Sequence, residues 1–498
     1  MLDLEKGGIG TPAVPKVVAV GLAVISCYGV ARVVFVTGDM PFLLPLVAVV
    51  LSIVALGKGS RRGYSVLGFA RVGFHVGLFA YFVSYPILSP ESIDLSISSD
   101  VHRTIGVMLL LTIVGFEAGY YLVRTTRRSP LDAYHDFEIG EQQKKWLWLC
   151  VCFGMAAWFI TVLDYSYAAG VAPTDALLTM RGAVEGARED VLTSLGHLAY
   201  ILSGGRFLAA AAAALLLTSA TCMSKVSTCV SWLVLLLCAL LGFLGGSRAV
   251  FLYSFSPLVM TVWLRLSALR SGRKLRWMLI GLAGVVLALT WGAMSAMRGG
   301  DIRNYEGGLE EMNPATYAQG AFDMYSQVAV IVETFPEKID YEYGKSLIPL
   351  VVGWVPRNMW PGKPYPFSLF ANTIKGETLE DREASLAIGL PGEGYGNFGL
   401  PGVLLWSLIM GLACRVGDNY IGRLNPSNPL RLFLAATVAI WAAMIVRGGV
   451  PEMFYMGLNV AMFPFAMSWF LSRRKSRAHR QSLPSSVSRV LQSRQLSN

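Results

Sequence analysis

The sequence is short of charge. Of its 498 residues only 15% are Asp, Glu, Lys or Arg, against 54% hydrophobic residues and a mean hydropathy of +0.52. A soluble protein carries about 25% charged residues, and a water-soluble fold has nowhere to bury this much apolar surface, which excludes the soluble classes. Metal-binding patterns are lacking as well: neither an Asp-x-Asp pair nor a His-Glu-x-x-His run occurs, so the residues give no reason to expect a metal or any other cofactor. The seven cysteines (Cys27, Cys150, Cys152, Cys222, Cys229, Cys238 and Cys414) all fall in or beside apolar stretches, with no zinc-type spacing and no disulfide framework. No internal repeat is evident, which counts against transporters built from two related halves.

What the chain does have is a succession of apolar runs of about 17 to 22 residues, each long enough as a helix to cross a hydrocarbon core of about 30 Å. About twelve such runs are expected, near 17–36, 41–56, 68–88, 104–123, 146–165, 196–218, 228–244, 249–264, 277–295, 398–414, 430–446 and 451–471. The fold class expected is therefore an all-α polytopic membrane protein. It divides into nine spans over 1–295, a large loop over 296–397, three further spans over 398–471, and a Ser-, Arg- and Gln-rich disordered tail over 472–498.

A net charge of +10 would suggest nucleic acid in a soluble protein, but here the basic residues alternate with the spans. Lys58/Arg61/Arg62, Arg124/Arg127/Arg128, Arg265/Arg270/Arg273/Lys274/Arg276 and Arg473/Arg474/Lys475/Arg477/Arg480 all fall on one side. The positive-inside rule makes that side the cytoplasm, places both termini there, and turns the clusters into headgroup anchors. The expected location is thus a bacterial inner membrane, with the bilayer as partner and no nucleic acid.

The loop over 296–397 then lies outside, and in it acidic residues outnumber basic ones by 14 to 8. Asn313-Pro314 reads as an N-cap with proline at the first helical position, and Ala318, Phe322, Tyr325, Ala329 and Val332 follow at three- and four-residue spacing. An amphipathic helix is expected over 314–335. Beyond it, Pro349, Pro356, Pro361, Pro364 and Pro366 interleave with Trp354, Trp360 and Tyr365, a stiff, turn-rich loop whose aromatics suit a headgroup region or a sugar-binding surface.

Ionisable residues inside spans cost about 2.5 to 3.5 kcal/mol on insertion scales. Arg32, Arg248 and Arg447 fall at outer span ends, Arg298 just beyond one, and Arg206 within the sixth run. Each could snorkel or pair with an acid such as Asp164 or Glu452. As a set on the side where basic residues are discouraged, they suggest a shared anionic ligand, and a lipid-linked diphosphate suits a bidentate guanidinium grip. Among the histidines, His75 reads as a hydrogen-bonded packing residue, His102 and His197 as possible bases or ligands, and His135 and His479 as solvated.

Gly344-Lys345-Ser346-Leu347, Val355-Pro356-Arg357-Asn358-Met359-Trp360-Pro361-Gly362-Lys363-Pro364 and the run Gly392-Glu393-Gly394-Tyr395-Gly396-Asn397-Phe398-Gly399-Leu400-Pro401-Gly402, with Gly245-Gly246-Ser247-Arg248 before them, resemble the outer-loop pattern of Wzy-type oligosaccharide repeat-unit polymerases. The resemblance covers roughly 240–415 by motif and the rest by span count. It implies a GT-C-like, metal-independent glycosyltransferase. Such an enzyme passes a growing glycan from polyprenyl diphosphate to a sugar hydroxyl of an incoming lipid-linked repeat unit, alongside a chain-length regulator protein. On that reading Arg248 and Arg357 stabilise the leaving diphosphate, with Arg298, Lys363, Arg447 and Arg206 as further substrate-binding cations and Tyr395 beside them. Glu393 is the first choice as base for the acceptor hydroxyl, with Asp301 and His197 in reserve. Glu393 could instead cap a turn or pair with an arginine, and Arg357 could hold the proline loop by a salt bridge. A ligase moving finished glycan onto a lipid A core, and a transporter or flippase of lipid-linked glycans, are the alternative functions.

Overall fold

The computed structural model describes residues 68–83, 98–124, 139–174, 176, 202–219, 223–244, 248–267, 275, 278–279, 281–286, 290, 324–352, 355, 359–360, 362–368, 387–424, 429–451, 453–462 and 464–467. Among the described residues every regular element is helical. In chain order these are α1 (Phe69–Leu78, continuing into a π-turn over Phe79–Val83), α2 (Ser99–Leu122), α3 (Glu141–Ala169), α4 (Gly205–Thr218), α5 (Lys225–Leu244) and α6 (Arg248–Ser267). There follow α7 (Met324–Thr334), α8 (Ile348–Val352), α9 (Gly389–Arg423), α10 (Leu430–Arg447) and α11 (Met453–Met467). Six of them, α2, α3, α5, α6, α9 and α10, are long and apolar enough to cross a membrane. The chain is a helical membrane protein. The expected runs at 17–36 and 41–56 and the tail lie outside the described residues.

Local chemistry sets the helix ends. Ser98 caps α2 by accepting from Val101 N at 3.4 Å, and Asp100 in the first turn complements the helix dipole. Gly170, in the left-handed region at φ 65, stops α3, and the N–H groups of Gly170 and Val171 satisfy the carbonyls of Tyr167 and Ser166.

Backbones approach closely along two glycine seams. A Cβ on Gly73 would lie 2.0 Å from Ala439 O and one on Gly77 2.5 Å from Ala443 O, so α1 and α10 run parallel. Gly115 faces Leu404 and Gly119 faces Leu408 in the same manner, so α2 runs parallel to the second half of α9. Such contact is how helices cohere in lipid, where no water is released by burying apolar side chains. Gly68, at the start of α1, packs on Tyr120 and Asp418, near the ends of α2 and α9, so the two pairs are antiparallel to one another. The bundle therefore has two ends. One carries the start of α2, the start of α9 and the end of α10; the other carries Arg71, Tyr120, Arg415 and Arg423.

Candidate functional site

The residues of the Gly392–Gly402 run form a broken helix. Phe398 (φ −144, ψ 19) and Gly399 (φ 64, ψ −153) interrupt α9, and the values at Gly399 belong to a region open essentially to glycine alone. Gly394 packs against Gly402 and Val403, where a Cβ on Gly402 would lie 2.1 Å from Gly394 O. Along a straight helix residues eight apart are about 12 Å apart, so the leg over 389–397 doubles back on the leg over 400–423. Pro401 stands in the first turn of the second leg, where its missing N–H costs nothing. Phe367 lies over Gly396, where a Cβ would meet the ring at 1.9 Å.

The first leg ends in carbonyls that no helix turn can satisfy. The outer loop supplies their donors: Glu342 N to Gly396 O at 3.0 Å and Tyr343 N to Asn397 O at 3.1 Å. Asn397, fully buried, completes the clamp. Its Nδ2 donates to Glu393 O at 2.8 Å, and its Oδ1 accepts from Gly344 N and Ser346 Oγ, both at 3.0 Å. Burial pushes the Glu342 carboxyl up, against the opposing pull of Lys345.

Glu393 is fully buried, and its Oε2 accepts from Val450 N. Gly449 and Ser368 pack around the same carboxylate. Val450 follows Arg447, the last residue of α10, by less than one turn, and the Arg447 Nε is buried without a hydrogen-bond partner among the described residues. The structure thus brings the sequence candidates Glu393 and Arg447 to one end of the bundle. Tyr395 is directed elsewhere: its hydroxyl donates to Phe335 O at 3.4 Å, and its ring meets Tyr341 edge-on. Lys363 Nζ donates to Val355 O at 2.9 Å and holds the proline loop. Arg206 is buried in the first turn of α4, its guanidinium 5.0 Å from the Phe207 ring, and its carbonyl accepts from Cys238 Sγ. Arg248 opens α6, its side chain outside the described residues, as are Arg298, Asp301, Arg357 and His197.

His102, weighed as a base, lies 2.8 Å from the Tyr325 hydroxyl, and both are buried where α7 meets α2. Asn397, Ser346 and Ser368 escaped the sequence reading, although Asn397 and Ser346 stand within the quoted motifs. The chain matches no family model, no curated protein and no solved structure.

Proposed function

We propose that the chain is a membrane-embedded glycosyltransferase that polymerises polyprenyl-diphosphate-linked oligosaccharide repeat units at the non-cytoplasmic face of a bacterial inner membrane. The observation that carries the reading is the fully buried carboxylate of Glu393, bonded to Val450 N three residues beyond Arg447, at the end of the bundle where α9 breaks. In this scheme Glu393 takes the proton of the acceptor hydroxyl while that oxygen attacks the anomeric carbon, and the bond from the anomeric carbon to the diphosphate breaks. Arg447, with Arg248, Arg298, Arg357, Lys363 and Arg206 as further cations, takes up the charge that develops on the leaving diphosphate. Val450 N–H fixes one carboxylate oxygen and so orients the base.

Purified protein in liposomes, supplied with a lipid-linked repeat unit, should yield a glycan ladder. Glu393→Gln should cut the rate by about 10²- to 10⁴-fold while elution on size exclusion stays that of the wild type. A ladder of unchanged rate from that variant would remove Glu393 from the mechanism.

A second reading, transport of a lipid-linked glycan, draws on the same broken helix, because discontinuous helices also build transporter substrate sites. Substrate that crosses the bilayer in the same liposomes with no ladder formed would replace the first reading by the second.

A further inference from the structure

At the end of the bundle away from Glu393, α1 and α2 hold three ionisable side chains in one buried cluster. Arg71 grips Glu117 with two bonds, Nε to Oε1 at 2.8 Å and a terminal nitrogen to Oε2 at 2.8 Å. His75 Nε2, one turn along α1, lies 2.6 Å from Glu117 Oε1. The side chains of Arg71, His75 and Glu117 are 6%, 1% and 18% exposed. A carboxylate can only accept, so Nε2 carries the hydrogen it gives to Glu117. The other ring nitrogen, Nδ1, is buried and meets no hydrogen-bond partner among the described residues. Phe74 and Phe116 stand edge-on around the ring, at 5.7 and 5.6 Å between centroids.

A structural ion pair would be complete with Arg71 and Glu117 alone, and apolar residues of the same volume would hold α1 to α2 at least as well. The third group adds an imidazole whose acceptor lone pair faces no donor among the described residues, backed by a carboxylate on its opposite nitrogen. That arrangement fixes the tautomer and leaves Nδ1 as the ring's proton acceptor. We propose that Arg71, His75 and Glu117 form a proton-binding site within the membrane domain, and that His75 Nδ1 is the atom that takes the proton.

The surrounding charges bear on the balance. From α2, Tyr120 and Tyr121 lie 5.8 and 5.3 Å from the Arg71 guanidinium. From α9, Asp418 accepts from the Tyr120 hydroxyl at 2.7 Å and from Ala70 N at 3.2 Å, while the Arg415 guanidinium lies over Tyr120 at 4.6 Å and its Nε donates to Val123 O. α10 brings no charge to this level, its only charged residues being Arg431 and Arg447 in its first and last turns. Among these described residues, Arg71 and Arg415 stand against Glu117 and Asp418 while His75 is neutral. Uptake of a proton leaves one unbalanced positive charge and a new N–H with no acceptor among the described residues.

Protein labelled with nitrogen-15 histidine, in liposomes or detergent, reports the state of each ring nitrogen, and His75→Gln identifies the His75 resonances among the five histidines. The expected result is a ring with bare Nδ1 at high pH that becomes imidazolium as pH falls from 8.5 to 5, ranges set about the ordinary histidine pKa of about 6.5. Arg71→Gln, which removes the competing cation, should raise proton affinity about tenfold, and Glu117→Gln should lower it about tenfold. A His75 ring that keeps one state across the whole range in the wild-type protein overturns the proposal, whether or not either variant folds. So does a titration that neither substitution moves. The readout needs no glycan substrate, so its failure leaves the glycosyltransferase reading untouched, and the converse holds.

Discussion

Gly399 is the residue on which the site's shape turns. Its backbone angles are closed to any residue with a Cβ, and a Cβ there would also come within 3.0 Å of the Tyr341 hydroxyl. Gly399→Ala should lower stability by about 1–3 kcal/mol, seen as a lower unfolding midpoint of the purified protein; an unchanged midpoint would mean that the break is not held as described. Asn397 makes a second, separable prediction. Asn397→Leu strands two buried donors, Gly344 N–H and Ser346 O–H, at about 1–3 kcal/mol each, whereas Asn397→Asp keeps their acceptor and loses only the bond to Glu393 O. Protease nicking of the loop over 336–347 should therefore rise sharply in the leucine variant and much less in the aspartate one, and equal nicking would refute the clamp. The run from Gly392 to Gly402 was legible as unusual, and its resemblance to a polymerase loop drew attention to Glu393. Why five of its eleven residues are glycine was not, because the reasons are a positive φ, an overlying ring and the approach of residues eight apart, all products of tertiary structure.

At the level of elements, sequence succeeds where lipid dictates the answer. Long apolar runs must satisfy their own backbone and so become helices, which is why α2, α3, α5, α6 and α10 follow their expected spans closely. The amphipathic spacing that begins at Pro314 likewise reappears in α7, with Tyr325 and Ala329 buried, while residues 314–323 lie outside the described set. The leg over 389–397 reads as loop because it is short and glycine-rich, against helix propensity. It is helical because its terminal carbonyls find donors 54 residues back in the chain. The Arg71–His75–Glu117 cluster was illegible for a related reason: its partners stand 42 and 46 residues apart, and a lone acid in an apolar run gives no hint of what it will meet. The glycine seams carry their own prediction. Gly119→Val sets a side chain against Leu408 O, where even a Cβ has only 2.0 Å, and should cost about 1–3 kcal/mol or more through forced separation of α2 and α9. Gly170→Ala, whose Cβ meets nothing within 4 Å, should cost about 1–2 kcal/mol, from its positive φ alone. Unfolding midpoints of the two variants, compared side by side, check the ranking; a reversed order would show that the seam is not tight.

For the whole molecule, the parallel course of α2 and the second leg of α9 is a constraint on everything between them. Two helices that cross in the same sense must be separated by an odd number of crossings. Gly154 packs on Ala209 and Gly205 on Ala157, so α3 and α4 are antiparallel. Cys238, late in α5, bonds to Arg206, at the start of α4, so those two are antiparallel also, and Gly242 against Phe251 and Ser254 makes α5 and α6 a hairpin. Four alternating helices leave the count even. One more crossing is needed between Ser267 and Gly389, and the one remaining apolar run of sufficient length is that near 277–295, of which residues 281–286 are described and helical. On that count Ser271 and Asp301 are expected on opposite sides of the membrane. In a background with the seven native cysteines replaced, Ser271→Cys and Asp301→Cys should react oppositely with a membrane-impermeant maleimide applied to sealed, right-side-out vesicles. Asp301→Cys should label at once and Ser271→Cys only after permeabilisation. Labelling of both from the same side would break the parity, detach the acidic loop from the Glu393 end of the bundle, and remove Arg298 and Asp301 from any site that Glu393 shares.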